Sequence, residues 1–441
     1  MASERKIGIG LVGIGTVGAA TAELLYEERE LLARRVGADV RLVAVCDKRF
    51  KSLDEMPKGI GKPRIVGDFK DLVADKEVDI VVELMGGTGV AKELALRVLG
   101  AGKPLVTANK ALLALHGDEI FAKAAEKGVP VGFEASVAGG VPILRALREG
   151  ISGDRVTSVR GIVNGTSNFI LSEMSDRGES FEKVLKEAQK AGYAEADPTF
   201  DIEGVDAAHK LALLAGLSFG TRVNFKDIYT EGISKITAED IAYGKRLGYR
   251  VKLLAIAKHQ NGAMELRVHP VLLPEGALLA QINGVLNGIE VQSVNIGTTH
   301  YTGRGAGGPA TSGAVVSDIV AIARSLLGGK GALAPPRLVP EKDLANIPVR
   351  GVGEIESAYY LRFTVRDRPG VLAKITGILG EAGVSIAELM QPLRSKDESV
   401  PILVMTHRCS ESAVAKALPK INALDVVTAP TAMIRVEDER L

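Results

Sequence analysis

The feature that most constrains the fold is a glycine pattern directly after the first apolar segment. Lys6–Val12 predicts a short buried β-strand, and Gly13, Gly15 and Gly18 follow it in the spacing G-x-G-x-x-G. The first glycine permits a tight turn, the second lets a pyrophosphate approach the backbone, and the third lets the next helix pack on the strand. The positive end of that helix then faces the phosphates. The amino-terminal segment therefore predicts a dinucleotide-binding unit.

The end of the second predicted strand bears on the choice of cofactor. A single long helix is predicted from Ala19 to Arg35, so Asp47 lies farther from the glycines than the roughly twenty residues expected. An acidic residue here suits the free 2′-hydroxyl of NAD, whereas the adjacent Lys48 and Arg49 suit the 2′-phosphate of NADP. Both cofactors therefore remain open.

Further apolar segments alternate with helical ones. Val78–Met85 predicts a third strand, and residues 104–110 predict a fourth that ends at Lys110. This alternation predicts a parallel, doubly wound sheet, whose ligands bind beyond the carboxyl ends of the strands. Gly87, Thr88 and Lys110 fall at those ends. Lys110 either reaches the cofactor or substrate, or is a solvated lysine at a helix start.

A second feature is the charged stretch that precedes an apolar helix at residues 195–217. Asp206 and Lys210 are four residues apart, so a helix brings them onto one face, and Leu213 and Leu217 continue that face. The pair is therefore expected to be partly desolvated, which makes Lys210 a candidate acid or base. The alternative is a salt bridge at a helix end, over the rim of a core.

Three loops rich in small residues offer polar backbone to a ligand. Glu134 is predicted in a strand, and the loop 138–140 after it either holds a cation with its carbonyls or only turns the chain. The sequence N-G-T-S-N at 164–168 either binds a polar ligand or caps the following helix. The glycine-rich loop 303–308 opens a predicted helix at 309–327, and it either returns to the cofactor or serves as a hinge.

The second half of the chain predicts two further sheets. Residues 221–303 contain strand-like apolar segments, which suit an antiparallel or mixed sheet with a role in dimer contact. A stretch rich in Pro and Gly at 328–357 predicts a linker. Beyond it, residues 359–436 predict strand, helix, strand, strand, helix and strand, the β-α-β-β-α-β pattern of a ferredoxin-like unit.

Composition excludes several classes of function. Lys plus Arg (55) and Asp plus Glu (54) nearly cancel, there is no Trp and only 4% of residues are aromatic, so a nucleic-acid partner is not expected. Glycines interrupt the amino-terminal apolar run, and we expect neither a signal peptide nor a membrane span. Cys46 and Cys409 lie in different predicted domains, which suits a reducing cytoplasm.

Several motifs in order carry a resemblance. With the glycine fingerprint, T-A-N-K at 107–110, N-G-T-S-N at 164–168 and G-Y-A-E-A-D-P at 192–198, the chain resembles the homoserine dehydrogenase family over nearly its whole length. D-R-P-G-V-L at 367–372 is similar to the turn of an ACT domain. The resemblance implies reduction of L-aspartate 4-semialdehyde to L-homoserine with NAD(P)H, in the biosynthesis of threonine, methionine and isoleucine.

The same resemblance implies a domain plan. A Rossmann-type doubly wound sheet is expected at 1–130, completed by the helix at 307–328, and an α+β catalytic and dimerisation domain at 131–306. A linker at 329–356 would lead to an ACT domain of the ferredoxin-like βαββαβ type at 357–441. A homodimer or homotetramer is implied, with threonine as a small-molecule effector.

The resemblance also assigns roles to individual residues. It implies that Lys210 is the acid/base, that Lys110 is a second active-site lysine, and that substrate binds to Asp206, Glu195 and Asp201. The positions implied for the cofactor are Gly13, Gly15, Thr16, Val17, Gly18, Asp47, Lys48, Arg49, Thr88, Lys110, Gly192 and Gly305. Those implied for a monovalent cation such as sodium, bound mainly by main-chain oxygens, are Glu134, Val137, Gly139 and Val141. Those implied for the effector are Asp367, Gly370, Val371 and Leu372.

Two other functions remain open on the sequence. One is a related NAD(P)-dependent reductase that acts on another small amino or hydroxy acid. The other is a sensor that has lost enzymatic activity and binds an amino acid through its carboxy-terminal unit. Retention of Lys110, Glu195, Asp206 and Lys210 argues against the sensor, because an inactive site need not keep them.

Overall fold

The chain forms two compact units in the computed structural model, which describes residues 5–328, 335–392 and 399–438. The first unit consists of Met1–Gly165, Asp206–Ile228 and Leu286–Ile347. The second consists of Thr166–Val205, Tyr229–Val285 and Pro348–Leu441. Each unit therefore draws on segments that are distant in the sequence.

The secondary structure alternates strands and helices in the amino-terminal third and becomes richer in strands afterwards. The strands are β1 Lys6–Val12, β2 Asp39–Cys46, β3 Arg64–Ile65, β4 Ile80–Glu83, β5 Leu105–Thr107, β6 Val131–Gly132, β7 Val156–Ile162, β8 Tyr229–Thr230, β9 Tyr249–Gln260, β10 Ala263–Pro274, β11 Leu286–Ser293, β12 Gly297–Arg304, β13 Glu356–Arg366, β14 Ile386–Met390, β15 Ser399–Thr406, β16 Cys409–Ser410 and β17 Val427–Val436. The helices are α1 Thr16–Glu27, α2 Arg29–Val36, α3 Phe69–Ala74, α4 Gly89–Gly100, α5 Lys110–Lys127, α6 Ile143–Arg145, α7 Gly165–Arg177, α8 Phe181–Lys190, α9 Thr199–Ile202, α10 Val205–Phe219, α11 Ala238–Arg246, α12 Gly308–Gly328, α13 Val371–Glu381 and α14 Glu411–Asn422.

The first unit is built on a parallel sheet in the order β3-β2-β1-β4-β5-β6. The predicted doubly wound sheet is thereby confirmed. In its register Val12 pairs with Glu83, and Glu83 pairs with Thr107. The carboxyl ends of the three central strands therefore meet at one edge, where such sheets bind their ligands. A separate antiparallel set in the same unit consists of β7, β11 and β12.

Helix α12 packs on this parallel sheet beside α1. Its Val315 and Ile319 are buried in one core with Ile9 and Leu11 of β1 and Leu25 of α1. Burying a side chain of this kind stabilises the fold by about 1.5–3 kcal/mol. Among the described residues α12 is the one helix long and apolar enough to span a membrane, but its buried stripe makes it a core helix of this unit.

The single helix predicted from Ala19 to Arg35 is wrong. The chain forms α1 and α2, which are separated at Glu28, whose φ of −94° and ψ of 17° are not helical. The chain changes direction at this break, and α2 buries Leu32 and Val36. Sequence reasoning missed it because neither Pro nor Gly marks the position. The extra helix accounts for the long separation between the glycines and Asp47.

The second unit contains a long antiparallel hairpin and the predicted βαββαβ pattern. Strands β9 and β10 pair along their whole lengths, and β10 also pairs in parallel with β17. Strand β13 lies between β15 and β17, and β14 pairs with β15. Helices α13 and α14 contribute Ile375, Leu379 and Val414 to a core shared with these strands. The predicted ferredoxin-like unit is thereby confirmed.

The described part of the predicted linker makes specific contacts. In the first unit the amide of Ala345 donates to the carbonyl of Gly220, and the carbonyl of Ala345 accepts from the hydroxyl of Thr221. In the second unit Val349 forms an isolated bridge with Met264. Because these backbone groups pair with the body of each unit, residues 335–356 are not a loose connection. Residues 329–334 lie outside the described part.

Candidate active site

Asp206 is the centre of a buried cluster of charges in the first unit. Its Oδ2 atom lies 2.7 Å from Nζ of Lys210, one turn later on α10, and its Oδ1 atom lies 2.9 Å from Nζ of Lys110. The amide of Asn164 donates to Oδ2 at 2.8 Å. Lys210 also donates to the carbonyl of Val163 at 2.6 Å. Two ammonium groups therefore share one carboxylate.

The electrostatics of the cluster keep Asp206 ionised. Burial by itself would raise the pKa of this carboxyl. The positive charges of Lys210 and Lys110, with hydrogen bonds from Lys210 and Asn164, outweigh burial and hold the pKa well below its usual range. With two cations and one anion, the cluster carries a net positive charge that suits an oxygen on which negative charge develops.

Helix α10 explains the burial of the lysine. The Lys210 side chain is 11% exposed, and Leu213 and Leu217 on the same face are buried, as the four-residue spacing predicted. The neighbouring His209 stacks on Phe225 with ring centroids 4.4 Å apart, and burial lowers its pKa. His209 therefore packs against Phe225.

Lys110 is positioned by the first turn of α5. Asn109 caps this helix by accepting from the amide of Leu112, and its side-chain amide donates to the carbonyl of Gly87 at 2.6 Å. The Lys110 side chain is 33% exposed, so it faces both the Asp206 cluster and solvent. The predicted alternative of a solvated lysine does not describe it, because its ammonium is paired with a buried carboxylate.

Glu83 is a polar residue of this region that sequence reasoning missed. It is fully buried at the end of β4 and accepts hydrogen bonds from the amides of Met85 and Gly86 and from the hydroxyl of Thr107. The signal was available, because an acidic residue is unusual within a strand as apolar as I-V-V-E.

The glycine loop after β1 has the shape that a dinucleotide requires. Gly13 adopts a φ of +95°, which favours glycine, and a Cβ on Gly18 would lie 2.0 Å from the carbonyl oxygen of Gly13. A Cβ on Gly15 would meet open space, so the backbone there is accessible to a phosphate. Helix α1 has neither a side-chain cap nor an acidic residue in its first turn, around Thr16 and Val17, which leaves its amides to an anion.

The end of β2 carries an ion pair at the expected ribose position. Asp47 Oδ2 accepts from the amide of Ile14 at 2.7 Å and lies 2.6 Å from Nη2 of Arg49. The hydrogen bonds from Arg49 hold the pKa of Asp47 well below its usual range. Arg49 is 59% exposed and Lys48 is also exposed. A carboxylate and two cations therefore meet where the cofactor's ribose is expected, and the geometry suits both forms of it.

The loop implied for a cation lies against the loop implied for the cofactor. A Cβ on Gly139 would approach the carbonyl oxygen of Gly305 to 2.5 Å, so the two backbones are in contact. Next to Gly305, the buried amide of Asn287 has no hydrogen-bond partner among the described residues. The unsatisfied side-chain oxygen of Asn287 and the carbonyl oxygen of Gly305 are groups that fit a hard monovalent cation. No cluster of His, Cys, Asp or Glu suited to a metal occurs in the described ranges.

Glu134 does not lie in a strand, and that prediction is wrong. Strand β6 ends at Gly132, and Glu134 begins a short 3₁₀ turn because its carboxylate caps the next helix, accepting from the amides of Leu144 and Arg145. Burial and the nearby Asp318 raise its pKa to about 7. Val137 and Val141 follow in the buried loop.

Residues of the second unit organise the G-Y-A-E-A-D-P motif. The hydroxyl of Thr166 donates to the carbonyl of Tyr193 at 2.7 Å, and that of Ser167 donates to the carbonyl of Asp201 at 2.9 Å. Gly192 has a φ of +76°, and Glu195 is exposed. Thr166 and Ser167 thus hold this segment of the second unit in place. The assignment of Glu195, Asp201 and Gly192 to substrate and cofactor stays a prediction.

The turn implied for an effector precedes α13 in the second unit. Gly370 has a φ of +87° and is the N-cap of the helix, Val371 is buried in the core, Leu372 is partly buried and Asp367 is exposed. The turn therefore presents an anionic side chain and a helix start beside an apolar wall. Its ligand stays a prediction.

Comparisons with known families and with individual proteins point to the same family, and together they cover nearly the whole chain. Residues 142–320 match the family described as homoserine dehydrogenase, residues 13–134 match the homoserine dehydrogenase NAD-binding domain, and residues 359–426 match the ACT domain. The homoserine dehydrogenase of Pseudomonas aeruginosa is 45% identical over 435 residues, which cover 98% of this chain and 99% of that protein.

Solved structures extend the likeness to three dimensions. The crystal structure of a homoserine dehydrogenase from Thiobacillus denitrificans has a TM-score of 0.92 and 46% identity, and covers 98% of this chain and 99% of its own. A hyperthermophilic archaeal homoserine dehydrogenase in complex with NADPH has a TM-score of 0.62 and 26% identity, and covers 74% of this chain and 100% of its own. The likeness therefore spans all three matched regions.

Proposed function

The chain belongs to the homoserine dehydrogenase family, and we propose that it catalyses the reversible reduction of L-aspartate 4-semialdehyde to L-homoserine with NADH or NADPH. The observation that carries the proposal is the carboxylate of Asp206 held between Nζ of Lys210 and Nζ of Lys110. This cluster combines a proton donor, a second cation and a fixed anion in one partly dry site. Hydride transfer to an aldehyde requires such a donor at the oxygen.

Proton transfer is the part of the reaction that the chain supplies. When bound, the nicotinamide supplies the hydride for the aldehyde carbon. Lys210 donates a proton to the aldehyde oxygen as negative charge develops there, and Lys110 adds positive charge beside it. Asp206 orients both ammonium groups through its two carboxylate oxygens. In the reverse direction Lys210 accepts the proton from the hydroxyl group.

The two ends of the substrate require opposite charges. Its ammonium is proposed to bind Glu195, Asp201 and the shared Asp206, and its carboxylate to bind Lys110 or the N-G-T-S-N motif. Aspartate semialdehyde carries both groups, whereas a simple aldehyde carries neither. Recognition of both ends therefore separates this substrate from other small carbonyl compounds.

A monovalent cation such as sodium is proposed in the loop of Glu134, Val137, Gly139 and Val141. The fit rests on the contact of this loop with Gly305 and on the unsatisfied amide of Asn287. The cation would hold the loop in the shape that positions the cofactor.

Regulation is proposed through the ACT domain. Threonine, an end product of the pathway, would bind at the turn that contains Asp367, Gly370, Val371 and Leu372, at an interface between paired domains. Its ammonium is complementary to Asp367, and its carboxylate to the uncapped start of α13. Binding there would lower the rate of homoserine formation.

The assembly and location follow from the same reasoning. We propose a homodimer or homotetramer, because catalytic domains of this family are expected to pair through their sheets. A cytoplasmic location is proposed because the substrate and cofactor are metabolites of the cytoplasm. It also suits the two cysteines, Cys46 and Cys409, which are not in a disulfide.

Steady-state kinetics of the whole protein tests the proposal. Nicotinamide absorbance is followed with L-aspartate 4-semialdehyde, with NADH and NADPH in parallel, and with and without threonine. Small aldehydes that lack the ammonium or the carboxylate serve as controls. We expect turnover with aspartate semialdehyde and little with the controls. Equal turnover of all aldehydes would indicate a different reductase, and no turnover would indicate a sensor.

A further inference from the structure

Glu83 and Thr107 form a buried polar link at the carboxyl ends of the neighbouring strands β4 and β5. They are register partners on β4 and β5, both are 0% exposed, and the hydroxyl of Thr107 donates to Oε2 of Glu83 at 2.6 Å. A buried carboxylate among apolar strands is costly unless hydrogen bonds compensate for lost hydration. Apolar residues of similar size would fill this space without that cost. Fold stability alone therefore does not explain why a carboxylate is buried here.

The other oxygen of Glu83 holds the loop that follows β4. Its Oε1 atom accepts from the amide of Met85 at 2.9 Å and from the amide of Gly86 at 3.3 Å. Gly86 and Gly87 both have positive φ, and a Cβ on either would meet open space. The loop therefore exposes its backbone at the ligand-binding edge of the sheet. The buried carboxylate of Glu83 fixes the shape of the loop through these two hydrogen bonds.

Thr107 connects Glu83 by hydrogen bonds to the start of α5, the helix that carries Lys110. Its Oγ1 atom accepts from the amide of Asn109 at 3.0 Å while its proton goes to Glu83. Asn109 caps α5 and donates to the carbonyl of Gly87 at 2.6 Å, which closes a ring of hydrogen bonds. Lys110 is the first residue of that helix, and its ammonium is held by Asp206.

From this geometry we propose that Glu83 is a positioning residue, which acts through Thr107 and Asn109 to hold Lys110 and the loop 85–87 in one fixed relation. Glu83 does not touch the reacting atoms in this proposal. Its two oxygens bind two different parts of the site, so the loop 85–87 and Lys110 cannot shift independently. The proposal rests on the proposed role of Lys110.

The ionised form of Glu83 fits its surroundings. The groups that hydrogen-bond to Glu83 in the described part of the chain are donors, namely two backbone amides, the hydroxyl of Thr107 and the side-chain amide of Asn109. Burial raises the pKa of Glu83, and the hydrogen bonds from Thr107, Met85, Gly86 and Asn109 oppose that rise. A neutral isostere at position 83 keeps the volume but replaces one acceptor by a donor.

The test compares Thr107→Val with Thr107→Ser. Valine keeps the shape and removes the hydroxyl, whereas serine keeps the hydroxyl and removes a methyl group. We expect Thr107→Val to lower kcat about ten- to a hundredfold, the loss expected for a hydrogen bond to a charged group, and to raise KM for the cofactor. Thr107→Ser is expected to stay within a few-fold of the unsubstituted protein in both constants.

A purely structural role predicts a different pattern. Both variants would then lose thermal stability, while kcat per folded molecule would be similar in the two. Equal kcat and cofactor KM in Thr107→Val and Thr107→Ser would overturn the proposal. Glu83→Gln provides a second variant of unchanged volume, and it should shift kcat and cofactor KM in the same direction as Thr107→Val.

The assay separates this proposal from the proposed function. If the unsubstituted protein did not reduce aspartate semialdehyde, the proposed function would fail. The positioning role of Glu83 is then tested by NADPH binding alone, measured as the dissociation constant. Weaker NADPH binding in Thr107→Val than in Thr107→Ser supports it, and equal binding contradicts it.

Discussion

Lys210 lies one helical turn after Asp206, and its ammonium nitrogen is 2.7 Å from Oδ2 of that buried carboxylate. Ion pairs at this spacing on a solvent-exposed helix stabilise it by only about 0.2–0.5 kcal/mol. This pair is different because both side chains are nearly removed from water and Lys110 binds the other oxygen. Its geometry is therefore better explained by chemistry than by helix stability.

Replacing Asp206 by Asn should weaken both the fold and the site. The variant leaves the buried ammonium of Lys210 without its counter-charge, and removing one partner of such a pair costs about 3–5 kcal/mol. Thermal unfolding should show a clear loss of stability, and turnover should fall. Asp227→Asn, at an exposed aspartate of the same unit, is the matched control. Equal stability of the two variants would show that the cluster is not tightly coupled.

Replacing Arg49 by Ala should change the choice of cofactor. A 2′-phosphate would lose a charged hydrogen bond, worth about 1.5–3 kcal/mol, so KM for NADPH should rise at least about tenfold. KM for NADH should change little, because NADH carries a hydroxyl there. Arg41→Ala, at the other end of β2, controls for the loss of an exposed arginine. A similar rise in KM for both cofactors would assign Arg49 to another part of the nucleotide.

Glu134 predicts a specific dependence of stability on pH. Its pKa is raised to about 7 in the folded protein, whereas an unfolded chain releases this proton near about pH 4.3. Between these values the folded state binds more protons, so the free energy of unfolding should fall as pH rises through the window. The stability is present below about pH 4.3 and is lost by about pH 7, by an amount on the order of 3 kcal/mol.

The measurement compares the unsubstituted protein with Glu134→Gln, which has no proton to release. Denaturant unfolding from about pH 5 to about pH 8 should show a steeper decline for the unsubstituted protein over this range. Two parallel curves would mean that Glu134 titrates at an ordinary carboxyl pKa.

Replacing Asp367 by Ala should remove inhibition by threonine and leave basal turnover unchanged. The reason is the loss of the carboxylate proposed to bind the ammonium of threonine. Initial rates are measured over a range of threonine concentrations. Asp425→Ala, at an exposed aspartate of the same βαββαβ unit, is the control and should remain inhibited. If threonine does not affect the unsubstituted protein, the ACT domain has another ligand or a structural role.

The sequence predicted features that depend on residues close together in the chain. The glycines at 13, 15 and 18 form their turn because each performs a local steric task, and Asp206 meets Lys210 because a helix repeats every 3.6 residues. The contact between Lys110 and Asp206 joins residues far apart in the chain. Only the resemblance to a family brought them together, since no local pattern encodes such a contact.

Other features could not be predicted from the periodicity of apolar residues. The break at Glu28 depends on how α2 packs, and the 3₁₀ turn at Glu134 depends on a carboxylate that caps a helix ten residues later. Glu83 is unusual in so apolar a strand, but its partners cannot be predicted from the strand pattern alone. The role proposed for Glu83 depends on its hydrogen bond with Thr107. The order and register of the strands bring these two residues together, and neither can be read from the sequence.

Single-turnover reduction of L-aspartate 4-semialdehyde by Lys210→Met tests the central claim most directly. The rate of cofactor oxidation at saturating substrate isolates the chemical step, and the substrate dissociation constant is measured separately. If Lys210 donates the proton, the rate should fall about a hundredfold to ten-thousandfold with a much smaller change in binding. Lys226→Met, at an exposed lysine of the same unit, should behave as the unsubstituted protein does. A near-normal rate for Lys210→Met would contradict the assignment.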